Sequence, residues 1–220
     1  MAKDKFLNYK ATTVQAYDKF ARFYKNENTQ HFFWQEEFDL LLKLLKESGI
    51  KVSECKFLDL GCGVGRDAAL ALKAGMNYTG VDLSKGMLKV AKESFAQAEF
   101  HRMDVANLDF RANTFDVVWA SAILLHLDSK DLEKTLGEIK RVLKPEGLVF
   151  ITLEKRGKGR QKKEMKISQK GKNQISRFFH LFKRKEFQEV LITNNFHILQ
   201  TGQKSEESGE KEWLYFIAKV

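Results

Sequence analysis

The sequence predicts an α/β fold, a three-layer sandwich with a doubly wound, mostly parallel, seven-stranded sheet. Short apolar runs alternate with amphipathic segments between residues 56 and 153, which is the order of strands and crossover helices in a parallel sheet. Residues 185–220 add one helix and a strand pair, and we expect the last strand to be antiparallel. Two N-terminal helices are expected to cover this core.

Residues 12–49 carry the helical pattern of these two covering helices. Thr12 or Thr13 is the expected N-cap of the first helix, and Gly49 is the expected end of the second. The apolar residues at helical spacing are Val14, Tyr17, Phe20, Phe23 and Tyr24 in the first segment and Trp34, Phe38, Leu41, Leu42 and Leu45 in the second.

Five strands and three helices are predicted in the core. The strands are residues 56–60, 78–82, 99–104, 115–120 and 148–153, and the helices are residues 66–74, 84–94 and 128–143. Ser84 is a natural N-cap, and the chain's single proline, Pro145, should stop the third helix at Lys144.

The remaining elements are a helix at residues 185–193 and strands at 196–201 and 213–220, joined by a polar hairpin tip or mobile loop. A chain of 220 residues fits one domain. We expect it to comprise a helical cap (12–49), a ligand-binding core (56–153), a basic insertion (154–184) and a C-terminal helix and strand pair (185–220).

Composition narrows the functional classes. Hydrophobic residues make up 43% of the chain, yet no apolar run approaches the roughly 20 residues of a membrane span. The first ten residues lack the apolar segment of a secretory signal. Cys55 and Cys62 lack the spacing of metal ligands, so we expect free thiols and no metal. From the missing apolar segments and the two free thiols we expect no membrane contact and a cytoplasmic location.

The net charge of +9 is concentrated in one segment. Residues 155–185 contain thirteen lysines and arginines and one acid, a formal +12, so the rest of the chain carries about −3. A cationic segment of this kind can hold phosphates or can be a solvated loop. Basicity is therefore a property of the insertion and not of the whole chain.

The stretch "KFLDLGCGVGRDAA" places three glycines where the first strand turns into a helix. Without side chains at Gly61, Gly63 and Gly65, a ligand can approach the backbone and the helix N-terminus. Asp82 ends the second strand, where a carboxylate can accept both hydroxyl protons of a ribose. These features indicate a nucleoside-containing cofactor. Because Arg66 stands at the third glycine position of a dinucleotide fingerprint, a nicotinamide cofactor is disfavoured.

Further motifs follow in order. They are "LDLGCGVG" at 58–65, "VDLS" at 81–84, "MDV" at 103–105, "FDVVWA" at 115–120 and "EIKRVLKPEGLVFITL" at 138–153. Together they resemble the class I S-adenosylmethionine-dependent methyltransferases, a Rossmann-like enzyme family. The similarity covers residues 56–153 continuously and the terminal strands more loosely.

The resemblance implies roles for the core residues. Asp59 and Gly61 would lie beside the methionine moiety of S-adenosyl-L-methionine, and Gly63 along the cofactor backbone. Asp82 would bind the ribose, and Leu83 would contact the adenine. The other implied contacts are the Asp104 carboxylate with the exocyclic amine, the Val105 N–H with the ring and the Ala120 carbonyl with the methionine amino group. Arg66 would either pair with the cofactor carboxylate or only start the following helix.

Outside the core, the resemblance offers two further sets of residues. Tyr17 and Tyr24 resemble aromatics that cap the cofactor in some relatives, and core packing is the alternative. His126 is the histidine near the cofactor end of the sheet, where it could be a substrate-side base or a packed residue.

The acceptor of the methyl group is left open. The run "RFFHLF" resembles one found in tRNA wobble-uridine methyltransferases and in relatives of unknown substrate. A cationic arm with Arg177, Phe178, Phe179 and His180 could hold phosphates and stack a base. A small molecule is the favoured acceptor and tRNA the alternative; a nicotinamide oxidoreductase and a non-catalytic nucleic-acid-binding protein are the other hypotheses.

Overall fold

The computed structural model of the chain describes residues 8–27, 33–170 and 173–220. Seven of its nine strands form one sheet, in the spatial order β3, β2, β1, β4, β5, β9, β8, and the other two form a separate hairpin. In chain order the strands are β1 Lys56–Leu60, β2 Asn77–Asp82, β3 Glu99–Arg102, β4 Phe115–Ser121, β5 Leu143–Glu154, β6 Lys163–Lys170, β7 Asn173–His180, β8 His197–Ser205 and β9 Glu212–Lys219.

Strand directions confirm the predicted fold class. β1 pairs in parallel with both β2 and β4, β2 with β3, and β4 with β5. Only β9 runs against its neighbours, β5 and β8. The chain order reverses between β1 and β4, so the loops after these strands diverge and leave a crevice at the carboxyl edge of the sheet.

Helices cover both faces of the sheet. They are α1 Tyr9–Glu27, α2 Gln35–Glu47, α3 Ala68–Lys73, α4 Lys85–Ser94, α5 Ser129–Val142 and α6 Arg184–Thr193. Apolar residues of α2, α3 and α4 pack on one face, and those of α5 and α6 pack on the other. Within the described residues, no helix is both long and apolar enough to cross a bilayer.

Alternation along the strands divides the core into two clusters. Phe57, Trp119 and Phe150 point to the α2 face, where the Trp119 and Phe150 rings stack with centroids 3.9 Å apart. Leu58 and Val118, one position along, belong to the opposite cluster. Burial on both faces explains why β1, β4 and β5 are almost continuously apolar in sequence.

Several predicted boundaries were wrong. α1 begins at Tyr9, so neither Thr12 nor Thr13 caps it; the Thr13 hydroxyl instead accepts a hydrogen bond (3.0 Å) from the Phe178 N–H. The third strand ends at Arg102 because the chain turns at Asp104, whose carbonyl accepts from the Asn107 N–H. β8 extends to Ser205, which shortens the predicted loop before β9.

The basic insertion folds into the β6–β7 hairpin, which the sequence did not predict. The hairpin lies beside α1, and Ile175 packs with Ala16 and Phe20 of that helix. Lys166 of β6 is directly opposite Arg177 of β7. Lys172 of the basic segment lies outside the described residues. The hairpin and α1 together cover the crevice at the carboxyl edge of the sheet.

Candidate functional site

A cavity of about 360 Å³ occupies this crevice. Its walls come from α1, the loops after β1, β2, β3 and β4, the end of β5, the β6–β7 hairpin and the β8–β9 connection. The carboxyl edge of a doubly wound sheet is where open α/β folds bind their ligands. The cavity therefore lies where the fold alone places a binding site.

The glycine loop after β1 forms the floor of the cavity. Gly61, Gly63 and Gly65 have φ values of +69°, +55° and +80°, a region that glycine adopts without strain. The Gly61 and Cys62 N–H groups donate to the Val81 carbonyl and fix the loop against β2. Of the three glycines, Gly61 and Gly63 line the cavity and Gly65 packs outside it, beside Phe95.

The loop is bare where it faces the cavity. A Cβ at Gly63 would meet nothing within 4 Å, so the space beside its backbone belongs to the cavity. A Cβ at Gly61 would come within 2.6 Å of the Ile123 side chain. The two positions thus require glycine for different reasons. Gly63 leaves the cavity floor open, and Gly61 lets the loop after β4 pack against the glycine loop.

Asp82 ends β2 at the wall of the cavity. One carboxylate oxygen accepts from the Gly63 N–H (3.0 Å) and the other from the Ser84 N–H (2.8 Å). Each oxygen keeps a free lone pair, so the carboxylate can still accept two hydroxyl protons. Burial raises the pKa of Asp82, while the Ser84 and Gly63 N–H groups oppose that rise.

A buried network of charges lies under the glycine loop. Asp59 accepts from the Tyr78 hydroxyl (2.8 Å), and burial raises its pKa well above the ordinary value. Burial also acts to raise the pKa of Asp67, but its ion pair with Arg66 (2.8 Å) and the Trp119 indole N–H outweigh that effect and lower it. Arg66 therefore already has a carboxylate partner within the protein.

Leu83, Asp104 and Val105 line the neighbouring wall. The Asp104 carboxylate accepts from the Ala106 N–H (3.0 Å) and from the Lys10 ammonium (2.7 Å). Lys10 of α1 also pairs with Asp131 (2.8 Å), so it joins α1 to the loop after β3 and to the first turn of α5. Sequence reasoning missed Lys10, which has no motif around it.

His126 lies in the wall between α1 and β7. Its Nδ1 is 2.7 Å from the Phe178 carbonyl, which can only accept, so Nδ1 carries the proton and Nε2 accepts from the Tyr17 hydroxyl (2.7 Å). Burial lowers the pKa of His126 to about 3. The imidazole is therefore neutral, with both nitrogens engaged.

The four substrate-side residues predicted in β7 separate into two pairs. Arg177 and Phe179 line the cavity together with Tyr17 and Tyr24. Phe178 and His180 face away from it: Phe178 is fully buried against Tyr9, and His180 Nδ1 lies 3.1 Å from the Leu127 carbonyl. This division follows from the two-residue period of a strand.

One residue predicted to contact the cofactor does not line the cavity. Ala120 is fully buried within β4, in register with Ile151 of β5, and does not line the cavity. Ser121 and Ala122, which follow it, do. The strand is longer than predicted, so the exposed turn comes later in the chain.

Several lining residues were not predicted at all. Glu154 ends β5, Lys166 comes from β6, Glu206 and Lys211 come from the β8–β9 connection, and Trp213 lies at the start of β9. The Glu206 carboxylate accepts from Lys211 (3.1 Å) and from the Trp213 indole N–H (3.0 Å). The polar sequence around Glu206 and Lys211 predicts only a loop. It does not indicate that this loop folds over the cavity.

Comparison with known proteins agrees with this geometry. Residues 58–151 match a family model described as a methyltransferase domain. The chain is 31% identical over 171 residues to phosphoethanolamine N-methyltransferase 2 of Caenorhabditis elegans, covering 74% of this chain and 37% of that protein. It is also 31% identical over 138 residues to a malonyl-[acyl-carrier protein] O-methyltransferase of Pectobacterium atrosepticum, covering 62% of this chain and 48% of that protein. The chain thus spans less than half the length of these relatives.

A solved structure shows the same fold over the whole chain. It is the 1,6-didemethyltoxoflavin-N1-methyltransferase of Burkholderia thailandensis, which was solved with bound 1,6-didemethyltoxoflavin and S-adenosylhomocysteine. The two structures superpose with a TM-score of 0.74. The alignment covers 100% of this chain and 92% of that one at 19% identity.

The fold and the cavity define a Rossmann-like α/β protein with a ligand-sized cavity at the carboxyl edge of its sheet. Within that class, the match of residues 58–151 and the sequence relatives support a place among the class I S-adenosylmethionine-dependent methyltransferases. Members of this family are enzymes, and their cofactor is S-adenosyl-L-methionine. The residues present fit that cofactor, because the open floor at Gly63 and the unused lone pairs of Asp82 suit a nucleoside.

Proposed function

We propose that this chain transfers a methyl group from S-adenosyl-L-methionine to a small organic acceptor. The main support is that one cavity is lined both by the glycine loop with Asp82 and by the hairpin residues Arg177 and Phe179. Its volume of about 360 Å³ falls within the range of small-molecule sites.

The cofactor would be held by Asp82 at the ribose, Leu83 and Val105 at the adenine, and Asp104 at the exocyclic amine. Asp59, Gly61 and Gly63 would lie along the methionine part. Ser121 or Ala122 takes the role that the sequence assigned to Ala120, since these residues line the cavity. Arg66 already forms an ion pair with Asp67. If it also bound a cofactor carboxylate, it would contact both groups at once.

Bound S-adenosyl-L-methionine supplies an electrophilic methyl group on a sulfonium sulfur. The protein's contribution is then to align the acceptor and to exclude water. His126 is a poor proton acceptor, because its Nε2 already accepts from Tyr17 and burial lowers its pKa to about 3. We assign it a positioning role, in which it orients the Tyr17 hydroxyl in the cavity wall.

The observations favour a small acceptor over tRNA. Phe178 and Phe179 are buried, so neither ring is available as an open platform for a base. Several cations of the insertion are engaged internally: Arg156 pairs with Glu186, and Arg160 pairs with Glu154 and Glu164. The relatives named above act on small or carrier-bound groups by name, which agrees with this preference.

Cofactor binding is tested with S-adenosylhomocysteine in a calorimetric titration. We expect saturable binding that weakens about tenfold or more in Asp82→Asn, which loses a charged acceptor. Asp109→Asn is the matched control, because Asp109 is exposed and does not line the cavity. Absence of binding to the unaltered protein would refute the proposed function.

The acceptor class is tested by incubation with S-adenosylmethionine labelled on its methyl group. One reaction contains a small-molecule extract and a second contains total tRNA. We expect label in the first reaction, and Asp82→Asn should abolish it. Label confined to tRNA would restore the alternative acceptor.

A further inference from the structure

Arg177 is a cation of the cavity wall whose hydrogen-bond partners, within the described residues, are neutral tyrosine hydroxyls. Its guanidinium lies in the cavity wall and is enclosed by aromatic rings, with Cζ at 5.4 Å from the centroid of Phe179, 5.6 Å from Tyr17 and 6.0 Å from Tyr24. Among the described residues it forms no ion pair. Burying a charge in such a setting is costly unless an anion completes it.

The hydrogen bonds of Arg177 leave donors unused. Nη1 donates to the hydroxyls of Tyr24 (2.6 Å) and Tyr17 (3.3 Å). Nε is buried and has no partner among the described residues. Both tyrosines are neutral acceptors, so they orient the guanidinium without neutralising it.

A second cation faces the same space. Lys166 lies directly opposite Arg177 in the hairpin register, and both side chains line the cavity. Like charges at opposed positions destabilise a strand pair. Among the described residues, Lys166 pairs only with Glu154, at 3.9 Å, and Glu154 is already paired with Arg160.

Charge around this part of the cavity suits a monoanion. Five charged residues line it: Lys166, Arg177, Lys211, Glu154 and Glu206. Lys211 and Glu206 pair with each other at 3.1 Å, and Arg160, outside the lining, pairs with Glu154 and Glu164. With Arg160 and Glu164 included, four cations and three acids leave one positive charge. A carboxylate balances that charge, whereas a phosphate monoester carries roughly −1.5 to −2.

The geometry points to an organic acid as the methyl acceptor, with its carboxylate bound by Arg177 and Lys166. This inference rests on the proposed function, because it names the substrate class of the same cavity. The planar guanidinium suits a planar carboxylate, and the rings of Phe179 and Trp213 line the space beside it. The acceptor atom can be the carboxylate itself or another group of the acid.

The test uses the protein saturated with S-adenosylhomocysteine and three aromatic probes at constant ionic strength. They are benzoate, its neutral counterpart benzamide, and phenyl phosphate, each titrated by calorimetry. We expect saturable benzoate binding, at least about tenfold tighter than benzamide, and its loss in Arg177→Met. Arg111→Met is the matched control, because Arg111 is exposed and lies outside the cavity.

The remaining outcomes also decide the inference. No benzoate binding, equal binding of benzamide, or tighter binding of phenyl phosphate would overturn it. If Arg177→Met instead weakens the binding of S-adenosylhomocysteine about tenfold, Arg177 serves the cofactor and the inference is wrong. If the unaltered protein binds no S-adenosylhomocysteine, the proposed function fails first, which distinguishes the two failures.

Discussion

The glycines of the loop after β1 show how one residue type meets different local demands. All three have positive φ, but only Gly63 has open cavity where its Cβ would stand. Gly49, at the end of α2, has the same backbone conformation (φ +75°) and also has no neighbour within 4 Å of a built Cβ. Substitutions at Gly63 and Gly49 should therefore strain the backbone similarly, but only one at Gly63 would also fill cavity space.

We expect Gly63→Ala and Gly49→Ala to lower the free energy of unfolding by similar amounts, about 1–2 kcal/mol each, because both place a side chain at positive φ. Only Gly63→Ala should also weaken the binding of S-adenosylhomocysteine, since its methyl group enters the cavity. Urea unfolding and calorimetry measure the two effects. Equal affinity in both variants would contradict this assignment of the cavity floor.

His126 makes stability depend on pH. Burial lowers its folded-state pKa to about 3 from an ordinary 6.5, so the unfolded chain binds more protons between these values. This contribution is fully present above about pH 6.5 and is lost as the pH falls toward 3. The free energy of unfolding should fall by up to about 1.4 kcal/mol per pH unit from this residue.

In His126→Gln we expect a shallower decline of the free energy of unfolding between pH 6.5 and 4.5. His197→Gln is the control, because His197 is exposed at the start of β8, and it should keep the slope of the unaltered protein. Urea titrations at several pH values measure both slopes. Equal slopes in all three proteins would show that His126 does not titrate in this way.

At the scale of elements, α1 is held to the core by its contact with α4. The Asp18 carboxylate accepts from the Ser84 hydroxyl (2.7 Å) and from the Gly86 N–H (2.8 Å) at the start of α4. A Cβ at Gly86 would lie 2.6 Å from the Asp18 carbonyl oxygen. The missing side chain is therefore what lets the two helices touch.

Gly86→Ala tests this contact against helix propensity. Alanine in a helix interior is ordinarily more stable than glycine by about 0.5–1 kcal/mol. Gly137→Ala in α5 should show that gain, since nothing lies within 4 Å of its built Cβ. Gly86→Ala should instead destabilise the protein by about 1–3 kcal/mol and expose α1 to protease.

Urea unfolding and limited proteolysis measure the two alanine variants side by side. Because α1 carries Tyr17, Gly86→Ala should also weaken the binding of S-adenosylhomocysteine. A gain in stability in both variants would mean that α1 does not depend on this contact.

Elements were predictable where sequence pattern and burial coincide. The strands of the sheet core were found because they are apolar on both faces, and Ser84 was identified as an N-cap, where its hydroxyl accepts from the Met87 N–H (3.1 Å). The hairpin was missed because β6 is a polar, lysine-rich run with only two apolar residues, Met165 and Ile167, and so lacks the alternation typical of a strand. The hairpin is held against α1 by contacts such as the hydrogen bond between Thr13 and Phe178. The partners in such contacts are remote in sequence, so local patterns do not reveal them.

The same limit applies to the site. Asp82 and the glycine loop could be predicted because strand, turn and helix follow one another locally. Glu154, Lys166 and Lys211 could not, because only the folded chain brings the hairpin and the β8–β9 connection over the crevice. Sequence patterns thus locate the cofactor half of the cavity, and tertiary structure is needed for the acceptor half.

For the whole molecule, a ligand that binds only the folded state should raise its stability. At 100 times its Kd, S-adenosylhomocysteine should add about 2.7 kcal/mol to the free energy of unfolding. NADH should add nothing, because Arg66 occupies the third glycine position of a dinucleotide loop. Thermal unfolding with each ligand measures the difference, and stabilisation by NADH alone would favour the oxidoreductase hypothesis.

The interior place of β9 in the sheet has a consequence for biosynthesis. This strand is hydrogen-bonded to β5 on one side and β8 on the other, although all the other strands precede it in the chain. A nascent polypeptide that has not yet passed residue 212 on the ribosome exposes the edge of β5 and leaves β8 without its partner. The sheet can close only late in translation, so the emerging chain must shield an apolar edge until then.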